Sequence, residues 1–480
     1  MKLLSSVSVL AAGICFAYPA IAQTAGGKQG SSAAAPSATA SVQSQTPQPA
    51  ERMGSGNSAQ TQGLPTAPAP NIQNLTLQDA ERIAIQNHPQ VQIAIHQAAY
   101  AQAQLVEAKS AYYPQAAGNA TGVESENQSR IDAGGLNAPR VFDKFANGVT
   151  LTQLITDFGH THEIVKSANL HAKAQEENVV TSRADVLLAV DAAYFSVLKS
   201  QALLQVADQT VKSRQLVADQ ITTMAQNKLK SGLDVSFAQV DLAQAKLLLI
   251  QAQNDLQASF AQLSAALGYP DQHTYNLTET AVPPAPPADF TGVLQQAFMN
   301  RPELISQRFD VNSAQSYATA ERDLWFPTLS GAGVAGIAPF RAPNGTAILP
   351  PRYAAAGFNL NIPIFNGRLF NALHAQALEQ FRTQQQYLRD LEDRIARDVH
   401  MAWLSANSGF ERLAVTEQLL NQATQAYNLA DARYRMQLSS IVELTQAQLN
   451  LTQAQIQEAS AKYDYETEIS NLNYQTGLLH

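Results

Sequence analysis

The chain has 480 residues, a formal net charge of −8, 45 % hydrophobic residues and a single cysteine. A mildly acidic balance with no basic cluster excludes nucleic acid as a partner, and one cysteine excludes a disulfide framework. There is no G-x-x-x-x-G-K-[ST] phosphate loop and no G-x-S-x-G elbow, so the sequence points to neither an enzyme nor a cofactor.

Residues 1–22 read as a secretory signal. Lys2 supplies the positive start, Val7 to Ala17 the apolar stretch, and Ala20-Ile21-Ala22 the cleavage pattern. The alternative, a membrane anchor, fails because that stretch is too short for a ~30 Å hydrocarbon core. Cys15 lies inside the signal and follows Ile14, which is not the small residue a lipoprotein site needs, so the mature chain is expected to carry neither lipid nor disulfide. Residues 23–70 are Ala, Gln, Ser, Pro and Gly with almost no large apolar side chain, the composition of a disordered linker. No later stretch approaches eighteen consecutive apolar residues, so a transmembrane helix is not expected. An exported chain of this kind is soluble or enters a membrane as β-strands.

The rest is written twice. Asn87-His88-Pro89 returns as Asn300-Arg301-Pro302, and Tyr112-Tyr113-Pro114 as Trp325-Phe326-Pro327, both at a shift of 213 (301 − 88 and 327 − 114). Such a period is too long for a solenoid and marks a duplicated half. The expected repeats are 71–282 and 289–480, joined by a Pro-rich connector at 283–288. Thr76 with Asp79 caps the first helix, and Asp289 its counterpart. After Phe158-Gly159 the chain runs from His160 to Asn227 without proline, about 100 Å if helical. Heptad rows such as Leu242, Leu249, Leu256 and Leu263, interleaved with Ala238, Ala245 and Ala252, indicate coiled-coil packing. Short breaks at Lys230–Asp234 and Gln437–Ser440 turn each half into a long hairpin. His160-Thr161-His162-Glu163 is the nearest approach to a metal cluster, but residues two apart on a helix diverge, and polar surface is the better reading.

Between the helices lie four short alternating segments, about 115–129, 145–158, 328–338 and 353–365, each the length of a tilted membrane strand. The connectors at about 131–144 and 339–352 suit exposed loops. Two small hairpins packed on the bundle would give the same pattern. The aromatic pairs Tyr112-Tyr113 and Trp325-Phe326, at the helix-to-strand boundaries, favour an interfacial girdle facing outer-membrane lipid. Four strands cannot close a barrel, and open edges in lipid are costly. Chains must pool strands, and three chains give twelve strands and a lumen.

The ordered set of features, from about Leu75 to Leu479, resembles the TolC family of outer-membrane efflux proteins. It rests on the duplication, the Asn-x-Pro of each half, Ile362-Pro363-Ile364-Phe365-Asn366-Gly367, and the hairpin turns followed by Ala/Gln-rich helices ending in Gly268 and Gly477. The resemblance implies a mainly α fold with a small membrane β-barrel. A homotrimer shares twelve strands above a periplasmic α-helical tunnel, and an adaptor protein docks it onto an inner-membrane transporter of RND, ABC or MFS type. It also implies that the hairpin tips, Ser231, Gly232 and Leu233 in the first half and Gln437, Leu438 and Ser439 in the second, contact the adaptor. Counting from Gln437, it places Glu443 in an acidic ring at the periplasmic entrance and Tyr434 among the groups holding it closed. The family's entrance arginine falls on Ser439 and its first-hairpin aspartate on Ala238, so that ion-pair lock is not reproduced; Arg433 or Arg435 is the replacement cation. The competing reading is a periplasmic coiled-coil adaptor or structural protein without a pore, although adaptors usually carry one hairpin rather than two.

Overall fold

The computed structural model describes residues 74–123, 144–338 and 352–479. The expected signal peptide, the linker and the bodies of the two strand-to-strand loops lie outside the described residues. Each half repeats the same elements at the same lengths. The first has α1 (Leu77–Asn87, 11 residues), α2 (Pro89–Ser110, 22), β1 (Gln115–Val123), β2 (Lys144–Thr156), α3 (His160–Gln226, 67) and α4 (Gly232–Ala266, 35). The second has α5 (Phe290–Asn300, 11), α6 (Pro302–Asp323, 22), β3 (Thr328–Ile337), β4 (Arg352–Asn361), α7 (Leu369–Arg435, 67) and α8 (Ile441–Gln475, 35).

Local chemistry sets these boundaries. Thr76 accepts from the Asp79 amide to start α1, and Asp289 accepts from Thr291 and Gly292 to start α5. Each short helix breaks at the residue before a proline, where the ring Cδ disfavours helical backbone. His88 sits at φ −70°, ψ 126°, and Arg301 at φ −66°, ψ 118°. β4 ends four residues earlier than expected. Pro363 has no N–H to offer a ladder, so Ile362 to Phe365 leave the sheet with their apolar side chains exposed.

The helices form a wall in two storeys. The two 67-residue helices run its whole height, about 100 Å at 1.5 Å per residue. On the strand side α3 packs against α2 and α6, and α6 against α7; towards the tips α3 packs against α4 and α8, and α7 against α8. The storeys meet where a glycine touches a proline break. Gly268, just past α4, has φ +83°, and a Cβ there would lie 3.0 Å from the carbonyl carbon and oxygen of Asn87. Gly477, just past α8, has φ +71°, and its Cβ would lie 2.8 Å and 2.9 Å from the same atoms of Asn300. The helix-ending glycines and the Asn-x-Pro motifs are therefore one joint, made twice.

Alanines bring the long helices close. Ala238, Ala245 and Ala252 are buried while the leucines of the neighbouring row, Leu242, Leu249 and Leu256, are half-buried. One eighteen-residue stretch of α3 reaches a mean hydropathy of 1.3 and is 56 % buried. By length and composition it could cross a membrane, which departs from the expectation that no such helix exists. Its apolarity has a packing cause, since Val186, Val190, Tyr194, Val197 and Leu198 form the core with α1 and α4. The connectors are strapped to this belt by ring donors. The Tyr194 hydroxyl donates to the Leu75 and Thr278 carbonyls at 3.0 Å and 2.6 Å. Tyr465 donates to Pro284 O at 2.6 Å and Trp403 Nε1 to Pro287 O at 2.8 Å.

Candidate duct wall and entrance

The strands form one antiparallel sheet in the order β1-β2-β3-β4. The register pairs Gly118 with Val149, Val149 with Ala335 and Ala335 with Ala354. Side chains alternate across a sheet, so one face collects Phe145, Val149, Leu151, Leu329, Ile337, Phe358 and Leu360 with the alanines and glycines opposite them. Val149 and Phe358 are 55 % and 81 % exposed. The other face collects Asn119, Thr121, Thr150, Thr152, Ser330, Tyr353 and Asn359, and Asn119 donates to Thr150 Oγ1 at 3.0 Å. Apolar side chains exposed in a row suit hydrocarbon, and the polar face suits water. Tyr353 lies across Gly336 and Gly148, its hydroxyl 2.5 Å from where either Cβ would be, which fixes why two neighbouring strands carry glycine there.

All four junctions between strand and helix lie at one end of the sheet. Tyr112, Tyr113, Trp325 and Phe326 are exposed there, at the level of an interfacial belt. Sequence reasoning missed two members of the set: Phe158, 6.4 Å from Phe326 ring to ring, and Phe365, 86 % exposed. The apolar-Gly pattern around both was the available signal. His160, in the run read as polar surface, bonds the Ala320 carbonyl through Nδ1 at 2.9 Å, tying α3 to α6.

At the far end, both hairpins turn in the same way. Lys228 (φ +61°) and Gln437 (φ +63°) are left-handed. Leu229 N bonds Met224 O at 2.9 Å, and Leu438 N bonds Arg433 O at 2.8 Å, the two-bond C-cap that ends a helix in an αL residue. Ser231 and Ser440 then cap α4 and α8. This corrects the register of the first tip. Its turn is Asn227–Lys230, with Leu229 matching Leu438, whereas Ser231 is a cap and Gly232 and Leu233 already lie in the first turn of α4. Gly232 has no left-handed φ and nothing within 4 Å of its Cβ position.

Both hairpins carry a carboxylate at the same place after the turn. Six residues past the turn lie Asp234 (234 − 228) and Glu443 (443 − 437), equivalent first-turn carboxylates. Counted from the left-handed residue of each turn, the position matching Glu443 in the first hairpin is Asp234; Ala238 is buried in one cluster with Ile221 and Tyr434. Tyr434 is 7 % exposed. Burial, and secondarily Asp234, pushes its hydroxyl pKa up, so it stays protonated. Lys230 Nζ stands 4.1 Å from the Tyr434 ring centroid, a cation–π contact between the hairpins. Of the two candidate cations, Arg433 bonds Glu443 at 3.0 Å, while Arg435 pairs with Asp431 on its own helix. The Arg433–Glu443 pair is exposed on both sides and Arg435 is exposed in the other, so both contribute little to stability.

A lipid-facing sheet on a long helical wall defines a membrane duct. Residues 82–269 and 293–477 match the outer membrane efflux protein family, and the chain belongs to that family. The two matched segments flank the Pro-rich connector, one in each repeat. BepC of Brucella suis, an outer membrane efflux protein, is 24 % identical over 362 residues, 74 % of this chain and 75 % of that one. TolC of Escherichia coli is 22 % identical over 358 residues, covering 72 % and 71 %. Two solved structures show the same fold: VceC of Vibrio cholerae, TM-score 0.73 at 18 % identity over 84 % of this chain and 96 % of that one, and CusC, TM-score 0.73 at 17 % over 84 % and 92 %. The chain is an outer-membrane exit duct. The alternative of a poreless adaptor is set aside by the family match and by the two-faced sheet.

Proposed function

We propose that three copies of this chain pool their sheets into a twelve-stranded barrel and passively conduct substrates delivered by an inner-membrane transporter and a periplasmic adaptor, with no catalytic step of their own. The observation that carries this reading is the open sheet: among the described residues β1 and β4 each have one unpaired edge, a state that lipid penalises until another copy covers it. The helix order agrees, because α2 packs against α3, α3 against α6 and α6 against α7, in step with the strands from β1 to β4. The division into signal 1–22, linker 23–70 and two repeats completes the reading.

The hairpin tips are the adaptor-facing end, comprising Leu229 and Leu438 with the flanking Ser231, Gly232, Leu233, Gln437 and Ser439. Leu229 and Leu438 are 63 % and 66 % exposed at the points farthest from the strands. Replacing both with glutamate is expected to abolish export, measured as lost resistance or secretion, while trimer and membrane insertion persist. Unchanged export would reduce the tips to exposed turns.

Glu443, repeated by threefold symmetry, forms an acidic ring at the entrance, with Tyr434 and Arg433 beside it. Carboxylate rings favour cations, and Arg433 partly neutralises this one. Glu443→Gln should therefore lower cation preference in single-channel recordings, and Arg433→Gln should raise it. Unaltered selectivity in both variants places Glu443 outside the constriction.

A further inference from the structure

Fourteen residues before the first turn's Lys228 (228 − 214), Arg214 on α3 is only 7 % exposed, and its Nη1 has no partner among the described residues. Gln448 on α8 is 5 % exposed, and its Nε2 also lacks one. Both line a cavity of about 210 Å³ between α3, α7 and α8, together with Thr210, Tyr427 and Thr452. The Thr210 and Thr452 hydroxyls donate to the carbonyls of Val206 and Gln448, at 2.8 Å and 3.1 Å, and neither oxygen accepts from Arg214 Nη1 or Gln448 Nε2.

That need is one-sided. Both unpartnered atoms are donors, and no carboxylate lines the cavity. Burial acts against the Arg214 charge, with Asp241 on α4 and Tyr427 supporting it from nearby, but a guanidinium does not give up its proton in a protein. Asp241 offsets that burial only in part and does not line the cavity, so Nη1 faces it without an acceptor, and a buried charge left incompletely paired is costly. Water satisfies an amide donor; it does not neutralise a guanidinium. The volume exceeds one water's share of about 30 Å³ several-fold, enough for an ion with part of its hydration.

We propose that this cavity binds a small inorganic anion of chloride size between Arg214 and Gln448. The ion joins the first hairpin to the second about 20 Å above the tips, and so holds the two hairpins of one chain together. This inference is independent of the adaptor and entrance readings, since it concerns the wall of the assembled duct.

The test uses the full-length assembly in detergent. Crystals grown in bromide should give an anomalous peak in contact with Arg214 and Gln448 in every copy. The thermal midpoint should rise by several degrees when gluconate, a bulky polyhydroxy anion, is replaced by chloride at equal ionic strength. Arg214→Met and Gln448→Leu should each remove the anomalous peak and abolish the chloride-dependent rise. A cavity holding only water in bromide crystals overturns the proposal without recourse to any variant, as does a chloride effect retained in Arg214→Met.

Discussion

Val149→Arg is expected to deplete the outer-membrane assembly almost completely, whereas Thr150→Arg, one residue along, leaves it largely intact. Val149 is 55 % exposed near the middle of β2 on the apolar face. A cation at the bilayer midplane of a barrel costs about 2–4 kcal/mol, and the cost recurs in every copy. Thr150 projects to the polar face, where its loss removes one hydrogen bond to Asn119, worth about 1 kcal/mol. The amount of folded, heat-modifiable oligomer in outer-membrane fractions measures both. Equal losses from the two variants would contradict the assignment of the sheet's faces.

The second large effect concerns the joint between storeys. Gly477→Val forces a β-branched residue into φ +71° and drives its Cβ to 2.8 Å from the Asn300 carbonyl carbon. Strain of this kind costs about 1–3 kcal/mol, and the backbone it strikes belongs to the α5–α6 break, which cannot swing away like a flexible side chain. The thermal midpoint of the complex should fall by several degrees, and Gly268→Val should behave alike against Asn87. Gly232→Ala is the control. With open space and ordinary backbone there, it should be neutral or stabilise by up to about 1 kcal/mol. A Gly477→Val complex as stable as the parent would show that the two motifs do not form a rigid joint.

The duplication, the long hairpins and the four strands were legible because each rests on local pattern: repeated Asn-x-Pro, proline-free heptads and period-two alternation. The polar and apolar faces followed from the same alternation. Three things were not legible, each for a physical reason. The resemblance sets the first tip at Ser231-Gly232-Leu233 by its glycine-containing turn, but Lys228 and Gln437 adopt φ near +60° at a cost of about 1–2 kcal/mol, which leaves no mark in the sequence. That placement hid the match of Asp234 to Glu443 and the contact between Lys230 and Tyr434. The joint of Gly268 with Asn87 spans 181 residues (268 − 87), a pairing that no local periodicity announces. Arg214 and Gln448 carry no local signal, because only packing between α3 and α8 buries them along one cavity.

The central claim is that chains pool their strands to make the duct, and the mass of the conducting species tests it most directly. Light scattering on the detergent-solubilised complex, with the same sample reconstituted for conductance, should give three chains per particle and open-channel current. A stable monomer or dimer that conducts would contradict the account.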